Sequence, residues 1–85
     1  MSQQSVLMYT TRLCPYCMAA RRLLAEKNIE YTDIAVDNKP DLRAEMTRLS
    51  GQRTVPQIWV GDHHVGGYTE LAAADQSGEL DRLLA

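Results

Sequence analysis

Cysteine is scarce in this 85-residue chain, which carries only Cys14 and Cys17, with two residues between them. A small secreted protein stapled by disulfides carries several pairs spread along its length, so this chain does not fit that class. A bridge across two intervening residues closes a tiny loop and contributes little stability. The pair therefore reads as chemistry rather than as a staple. Basic runs are missing too: net charge is -2 and no Lys/Arg block occurs, so nucleic acid and anionic membranes are not expected partners. No apolar run is long enough to span a bilayer. Met1-Ser2-Gln3-Gln4 is polar, and the run after it is too short for the h-region of a secretory signal. A reducing cytoplasm is the expected compartment. Repeats, linkers and low-complexity tracts are absent, so residues 1–85 are expected to form one small domain. The hydrophobic fraction of 45% is ordinary for a globular protein and argues against disorder.

Taken in order, Ser5-Val6-Leu7-Met8-Tyr9 is too brief for a helix and long enough for a buried strand. Thr10 to Leu13 form a loop that leads to Cys14. Pro15 follows, suited to a first helical turn because its missing N–H has no partner there. Strong helix formers then run from Tyr16 to Lys27, with Cys17, Ala20 and Leu24 on one face and Asn28 as a left-handed cap. Ile29 to Val36 reads as a second strand whose alternation slips between Tyr31 and Ile34, where a bulge or shifted burial pattern is expected. Asp37-Asn38-Lys39-Pro40 opens a second helix with a Leu42, Met46, Leu49 stripe, closed by Gly51. Gln57 to Val60 is a third strand, and Gly61-Asp62 turns it back through His63-His64-Val65. Gly66-Gly67 breaks that fourth strand. Thr69 to Ala74 begin a third helix, which Ser77-Gly78 interrupts before Leu80, Leu83 and Leu84. The class is α/β with element order βαβαββα. Its first two strands are parallel through a right-handed crossover, and its last two form an antiparallel hairpin.

A Cys-X-X-Cys at the strand-to-helix turn of a βαβ unit reads as a thioredoxin-like redox motif. Cys14-Pro15-Tyr16-Cys17, then Thr54-Val55-Pro56, then Gly66-Gly67 together resemble the dithiol glutaredoxins of the small bacterial type over nearly the whole chain. The resemblance implies a thioredoxin fold, a four-stranded mixed sheet in strand order 2-1-3-4 flanked by helices. It also implies glutathione-dependent reduction of protein disulfides and of protein–glutathione mixed disulfides. Glutathione is then a co-substrate, with no tightly bound cofactor and no metal. The implied partners are glutathionylated or disulfide-containing proteins, ribonucleotide reductase among the candidates, acting on a monomer.

Such chemistry needs a thiolate. Only roughly 3% of an ordinary thiol is ionised at pH 7, and full ionisation takes about 4.8 kcal/mol of selective stabilisation. A helix dipole supplies ~0.3–1 kcal/mol, up to ~2 in a favourable site. Direct N–H bonds to the charged sulfur, about 1.5–3 kcal/mol each, must supply much of the rest. Pro15 has no N–H, which leaves those of Tyr16 and Cys17, with Arg12 as a nearby positive charge. Cys17, one turn inside the helix, is expected to be more buried, less ionised and therefore the resolving thiol.

By resemblance, Pro56 follows a cis bond that turns the Val55 backbone toward Cys14, to pair with the cysteinyl part of glutathione. Thr54 belongs to the same segment. Gly67, Tyr68 and Thr69 receive the γ-glutamyl carboxylate at a helix N-terminus, and Tyr16 lies against the ligand. Arg43 and Arg53 reach toward the glycyl carboxylate. Thr11 stands where many members of the family carry lysine, and Thr69 where many carry aspartate.

Two other readings belong to different classes. One is a thioredoxin-like electron donor recharged by a flavoprotein reductase, against which the Gly66-Gly67 pair argues. The other is a carrier of a glutathione-ligated iron–sulfur cluster, disfavoured by Pro15 and the second cysteine. A zinc site would have to recruit His63 or His64, which alternate across a strand and read as exposed hairpin residues.

Overall fold

The computed structural model describes residues 3–85, so Met1 and Ser2 of the polar start lie outside the described residues. Strand β1, Val6–Thr10, is followed by helix α1, Pro15–Glu26, strand β2, Thr32–Ala35, and helix α2, Pro40–Ser50. Strand β3, Gln57–Val60, and strand β4, His63–Gly66, lead to helix α3, Tyr68–Ser77, and helix α4, Glu79–Leu84. The sheet order is β2-β1-β3-β4, with β1 parallel to β2 and antiparallel to β3. This mixed sheet is the arrangement that the resemblance implied.

Period-two alternation along the two central strands sends side chains to both faces, and both faces are covered. Val6, Met8, Ile58 and Val60 pack with Ala20 and Leu24 of α1, Leu71 of α3 and Leu80 of α4. Tyr9 lies on the opposite face with Val36 and Met46 of α2, and Leu7 and Trp59 pack against that second cluster. The slip expected between Tyr31 and Ile34 has its cause here. Tyr31 packs on the first cluster and Ile34 on the second, so the two residues serve opposite faces. No bulge is needed: β2 pairs with β1 in unbroken register from Leu7↔Thr32 to Thr10↔Ala35. The irregularity falls instead between Ile58 and Trp59 in the β3–β4 pairing.

β2 is shorter than the expected Ile29–Val36. Ile29 closes the end of α1, its N–H bonded to the Leu24 carbonyl at 2.9 Å, and Asn28 takes the left-handed conformation with φ 58°. Leu49, expected in the buried stripe of α2, is 52% exposed, because Met46 already fills the contact with the sheet. Gly51 ends α2 at φ 75°, a left-handed cap that glycine adopts without a Cβ penalty. The final helical stretch is divided at Gly78, φ 83°, into α3 and α4. Lys27, the C-cap of α1, reaches α3 through Asp75 at 2.8 Å and α4 through Asp81 at 3.5 Å. Among the described residues, no helix is long and apolar enough to cross a membrane.

Two stability measurements follow from this packing. Leu24→Ala, at a site with no exposure, is expected to lower the unfolding free energy in urea by about 2–5 kcal/mol. Leu49→Ala is expected to change it by less than about 0.5 kcal/mol. Tyr9 supplies a pH signature. Burial first, then its 2.7 Å hydrogen bond to Glu45 and the charge there, push its phenol from 10.0 up to about 12. A native group that holds its proton more tightly than the unfolded chain stabilises fully below the unfolded value and loses that contribution above it. Stability is therefore expected to fall between pH 10 and 12, and Tyr9→Phe to flatten that stretch of the urea midpoint profile.

Candidate active site

β1 ends at buried Thr10, and the loop Thr11–Leu13 delivers Cys14 to the N-cap of α1. Cys14 has extended dihedrals, φ -109° and ψ 116°, and its side chain takes the capping position. Its sulfur accepts the Cys17 N–H at 3.4 Å. Cys17 thus provides one of the two amides expected for this role. The carbonyl of Cys14 begins the helical ladder, accepting from Met18 N–H at 3.0 Å. Asp37, beyond β2, grips the loop by both carboxylate oxygens, each 3.1 Å from the Arg12 N–H.

The two thiols occupy different environments. Cys14 is partly exposed, whereas Cys17 has no exposed surface, and both are free. Burial pushes the Cys17 thiol from 9.0 up to about 11, opposed by a hydrogen bond from the Thr11 backbone and the positive charge of Arg21. Proximity to Cys14 raises it further. Arg21 lies one helical turn beyond Cys17 and is held by Asp33 at 2.7 Å and by the Thr10 hydroxyl at 2.9 Å. Thr10 in turn donates to Asp33 at 2.6 Å. The Asp33 pairing raises the affinity of the Arg21 guanidinium for its proton. A fixed cation thus stands behind the buried thiol. Arg21 and Asp33 escaped sequence reasoning because helix α1 and strand β2 meet only in the folded chain.

Across from Cys14, the Val55–Pro56 peptide is cis, as the resemblance implied. The Cys14 thiol lies 3.8 Å from the Val55 carbonyl oxygen. A groove of about 150 Å³ runs beside it, bordered by Tyr16, Thr54, Val55, Pro56, Gly67, Tyr68 and Thr69. Gln52, Gln57 and Glu70 complete its lining, none of them singled out from the sequence. The rings of Tyr16 and Tyr68 form a tilted pair with centroids 6.4 Å apart. Gly66, at φ 120°, has Glu70 side-chain atoms 3.0 Å from where a Cβ would stand, so a side chain there meets both strain and a clash. Glu70 accepts the Gly67 N–H at 2.8 Å, and α3 begins at the next residue.

The arginines stand apart from this groove. Arg12 and Arg53 are exposed and neither borders it. Arg43 donates to the Arg53 carbonyl at 3.0 Å, which makes it a brace for the loop before β3. His63 is exposed as expected, but His64 is half-buried, because its ring lies on Trp59 with centroids 4.7 Å apart.

A partly exposed sulfur on a helical amide, a second thiol buried one turn behind it, and a groove bordered by the cis-linked Val55–Pro56 segment suit thiol–disulfide exchange. Known proteins agree. The family model described as Glutaredoxin matches residues 6–65. The chain is 51% identical over 80 residues to a glutaredoxin of Pseudomonas aeruginosa, spanning 94% of this chain and 95% of that one. It is 41% identical over 80 residues to glutaredoxin 3 of Escherichia coli strain K12, spanning 94% and 96%. Among solved structures, the glutaredoxin of Brucella melitensis superposes with a TM-score of 0.86 at 46% identity, covering 99% of this chain and 91% of that chain. A buckwheat glutaredoxin–glutathione complex superposes with a TM-score of 0.86 at 26% identity, covering 95% and 76%. The chain belongs to the glutaredoxin family, thiol–disulfide oxidoreductases built on the thioredoxin fold.

Proposed function

We propose that this protein reduces protein disulfides and protein–glutathione mixed disulfides at the expense of glutathione, with Cys14 as nucleophile and Cys17 as resolving thiol. The observation that carries the reading is the position of the Cys14 sulfur. It sits 3.4 Å from the Cys17 N–H, 3.8 Å from the Val55 carbonyl and beside the groove.

In the first step the Cys14 thiolate attacks a substrate disulfide, R–S–S–R′. A Cys14–S–S–R bond forms, the S–S bond of the substrate breaks, and R′–S⁻ leaves with the electron pair and takes a proton from water. In the second, Cys17 loses its proton to solvent and attacks the Cys14 sulfur. The Cys14–Cys17 bond forms, and R–S⁻ departs and is protonated. Holding both thiols on one helical turn makes this closure effectively unimolecular. Two glutathione molecules then supply the electrons that return the pair to dithiol, leaving as glutathione disulfide. Where the first partner is itself glutathionylated, a second glutathione resolves the Cys14 mixed disulfide, and Cys17 is not required.

Each part of the groove has a counterpart in that ligand. The Val55 N–H and C=O pair with the cysteinyl unit as an added strand, with Thr54 and Pro56 shaping the approach. The first-turn amides of α3 at Tyr68 and Thr69 have no partner within the helix and receive the γ-glutamyl carboxylate, Gly67 allowing it close. Tyr16 covers the ligand from the α1 side. The exposed Arg53 and Arg12 act at longer range on the negative charge of the tripeptide. The protein works in a reducing cytoplasm as a monomer.

Three outcomes are expected. Cys14→Ser abolishes both reductions in an assay coupling NADPH oxidation to glutathione reductase. Cys17→Ser retains turnover of a glutathione mixed disulfide and loses most of its reduction of a protein disulfide. Equal loss of both, or NADPH consumption through thioredoxin reductase but not through glutathione, overturns the assignment. Because burial keeps Cys17 protonated until about pH 11, its attacking fraction grows with pH. The rate difference between wild type and Cys17→Ser on a protein disulfide is therefore expected to widen from pH 7 toward pH 10.

A further inference from the structure

Gln57 is buried to 1% exposure at the first position of β3, directly after the cis-linked Pro56. A buried amide without partners costs about 1–3 kcal/mol, so the way its atoms are satisfied is informative. Its Nε2 donates to the Thr54 carbonyl at 3.0 Å, with the Thr54 hydroxyl at 3.2 Å and Gln52 Oε1 at 3.4 Å. Its Oε1 lies 2.8 Å from His64 Nε2. The amide hydrogens are directed at oxygen acceptors, so Oε1 faces His64 and must accept. His64 Nε2 therefore carries a hydrogen. The imidazole is held in turn by its stacking on Trp59, an interplanar angle of 32°, and Trp59 meets Tyr9 edge-on at 5.5 Å. A continuous string runs from the covered face of the sheet through Trp59, His64 and Gln57 to Thr54. The next residue is Val55, whose carbonyl faces the Cys14 sulfur.

We propose that Gln57, oriented by His64, is a positioning residue that fixes the Thr54–Val55 backbone in the direction required to pair with a thiol ligand beside Cys14. This inference rests on the proposed function for what the ligand is, though not for the clamp itself. Gln57 borders the groove but makes its bonds away from Cys14, to Thr54 and His64. Its contribution falls on binding of the ligand backbone rather than on thiol reactivity. The same geometry assigns His64 a role different from that of a metal ligand or a free surface imidazole.

Gln57→Glu keeps the size of the side chain, still accepts from His64, and cannot donate to Thr54. It is expected to raise the KM for a glutathione mixed disulfide about tenfold, the factor given by about 1.4 kcal/mol, with kcat changed less than about twofold. At half-buried His64, His64→Gln retains an N–H donor and is expected to keep KM within about twofold. His64→Phe keeps a ring on Trp59, removes the donor and is expected to raise KM about threefold. The order parameter of the Val55 amide in the free protein should fall in Gln57→Glu and His64→Phe, and not in His64→Gln. A fall in kcat at unchanged KM, equal effects of the two His64 variants, or an unaltered Val55 order parameter in folded Gln57→Glu and His64→Phe overturns the proposal. Should Gln57→Glu fail to fold, the His64 pair decides. Should wild-type turnover prove independent of glutathione, the proposed function fails, while the Val55 order parameter still tests the clamp.

Discussion

Everything in this molecule depends on β1 being buried on both faces. Val6, Met8, Tyr9 and Thr10 have almost no exposed surface, and the strand is hydrogen-bonded along both edges. A strand held on four sides has a fixed end, and that end delivers the loop carrying Cys14. The coverage comes from α1, α3 and α4 on one face and α2 on the other, so no helix can shift without exposing apolar area at about 25 cal/mol per Å². The rigid base explains how the Cys14 sulfur can stay within reach of one amide of its own helix and a carbonyl 41 residues further along the chain.

The two cysteines share a helical turn and differ in almost every physical respect. Cys14 occupies the cap, where the helix offers an N–H and partial positive charge, and where solvent reaches it. Cys17 faces the sheet, and desolvation keeps its proton on. The partition follows from the helix alone: position three after the cap points inward when the helix lies on a sheet. Arg21, clamped by Asp33 and Thr10, prevents the inner site from being uniformly apolar. That cation lowers the cost of placing a negative charge on Cys17.

Much of this was legible beforehand because short-range rules govern it. The apolar run of β1, Pro15 at the first turn of α1, the left-handed Asn28 and Gly51, and the Gly61-Asp62 turn are local decisions made by sterics and backbone hydrogen bonding. Leu49 and the shortened β2 were misread because burial depends on what an element packs against. Met46 reaches the sheet and Leu49, on the same face by spacing, does not. His64 was read as exposed because no local pattern reveals a tryptophan beneath it. Gln57 left a faint trace, a polar residue opening a strand whose neighbours are all apolar, yet its partners Thr54 and His64 lie on either side of a turn.

The sequence by itself determined the cysteine pair, its place at a helix start, and the strand and helix order. Each rests on interactions among residues within about one turn of one another. Tertiary structure alone decided how completely the inner thiol is buried, which cation stands behind it, and that Gln52, Gln57 and Glu70 join the groove lining. Those are consequences of desolvation and of contacts between distant segments, and neither quantity exists until the sheet has closed over its two cores.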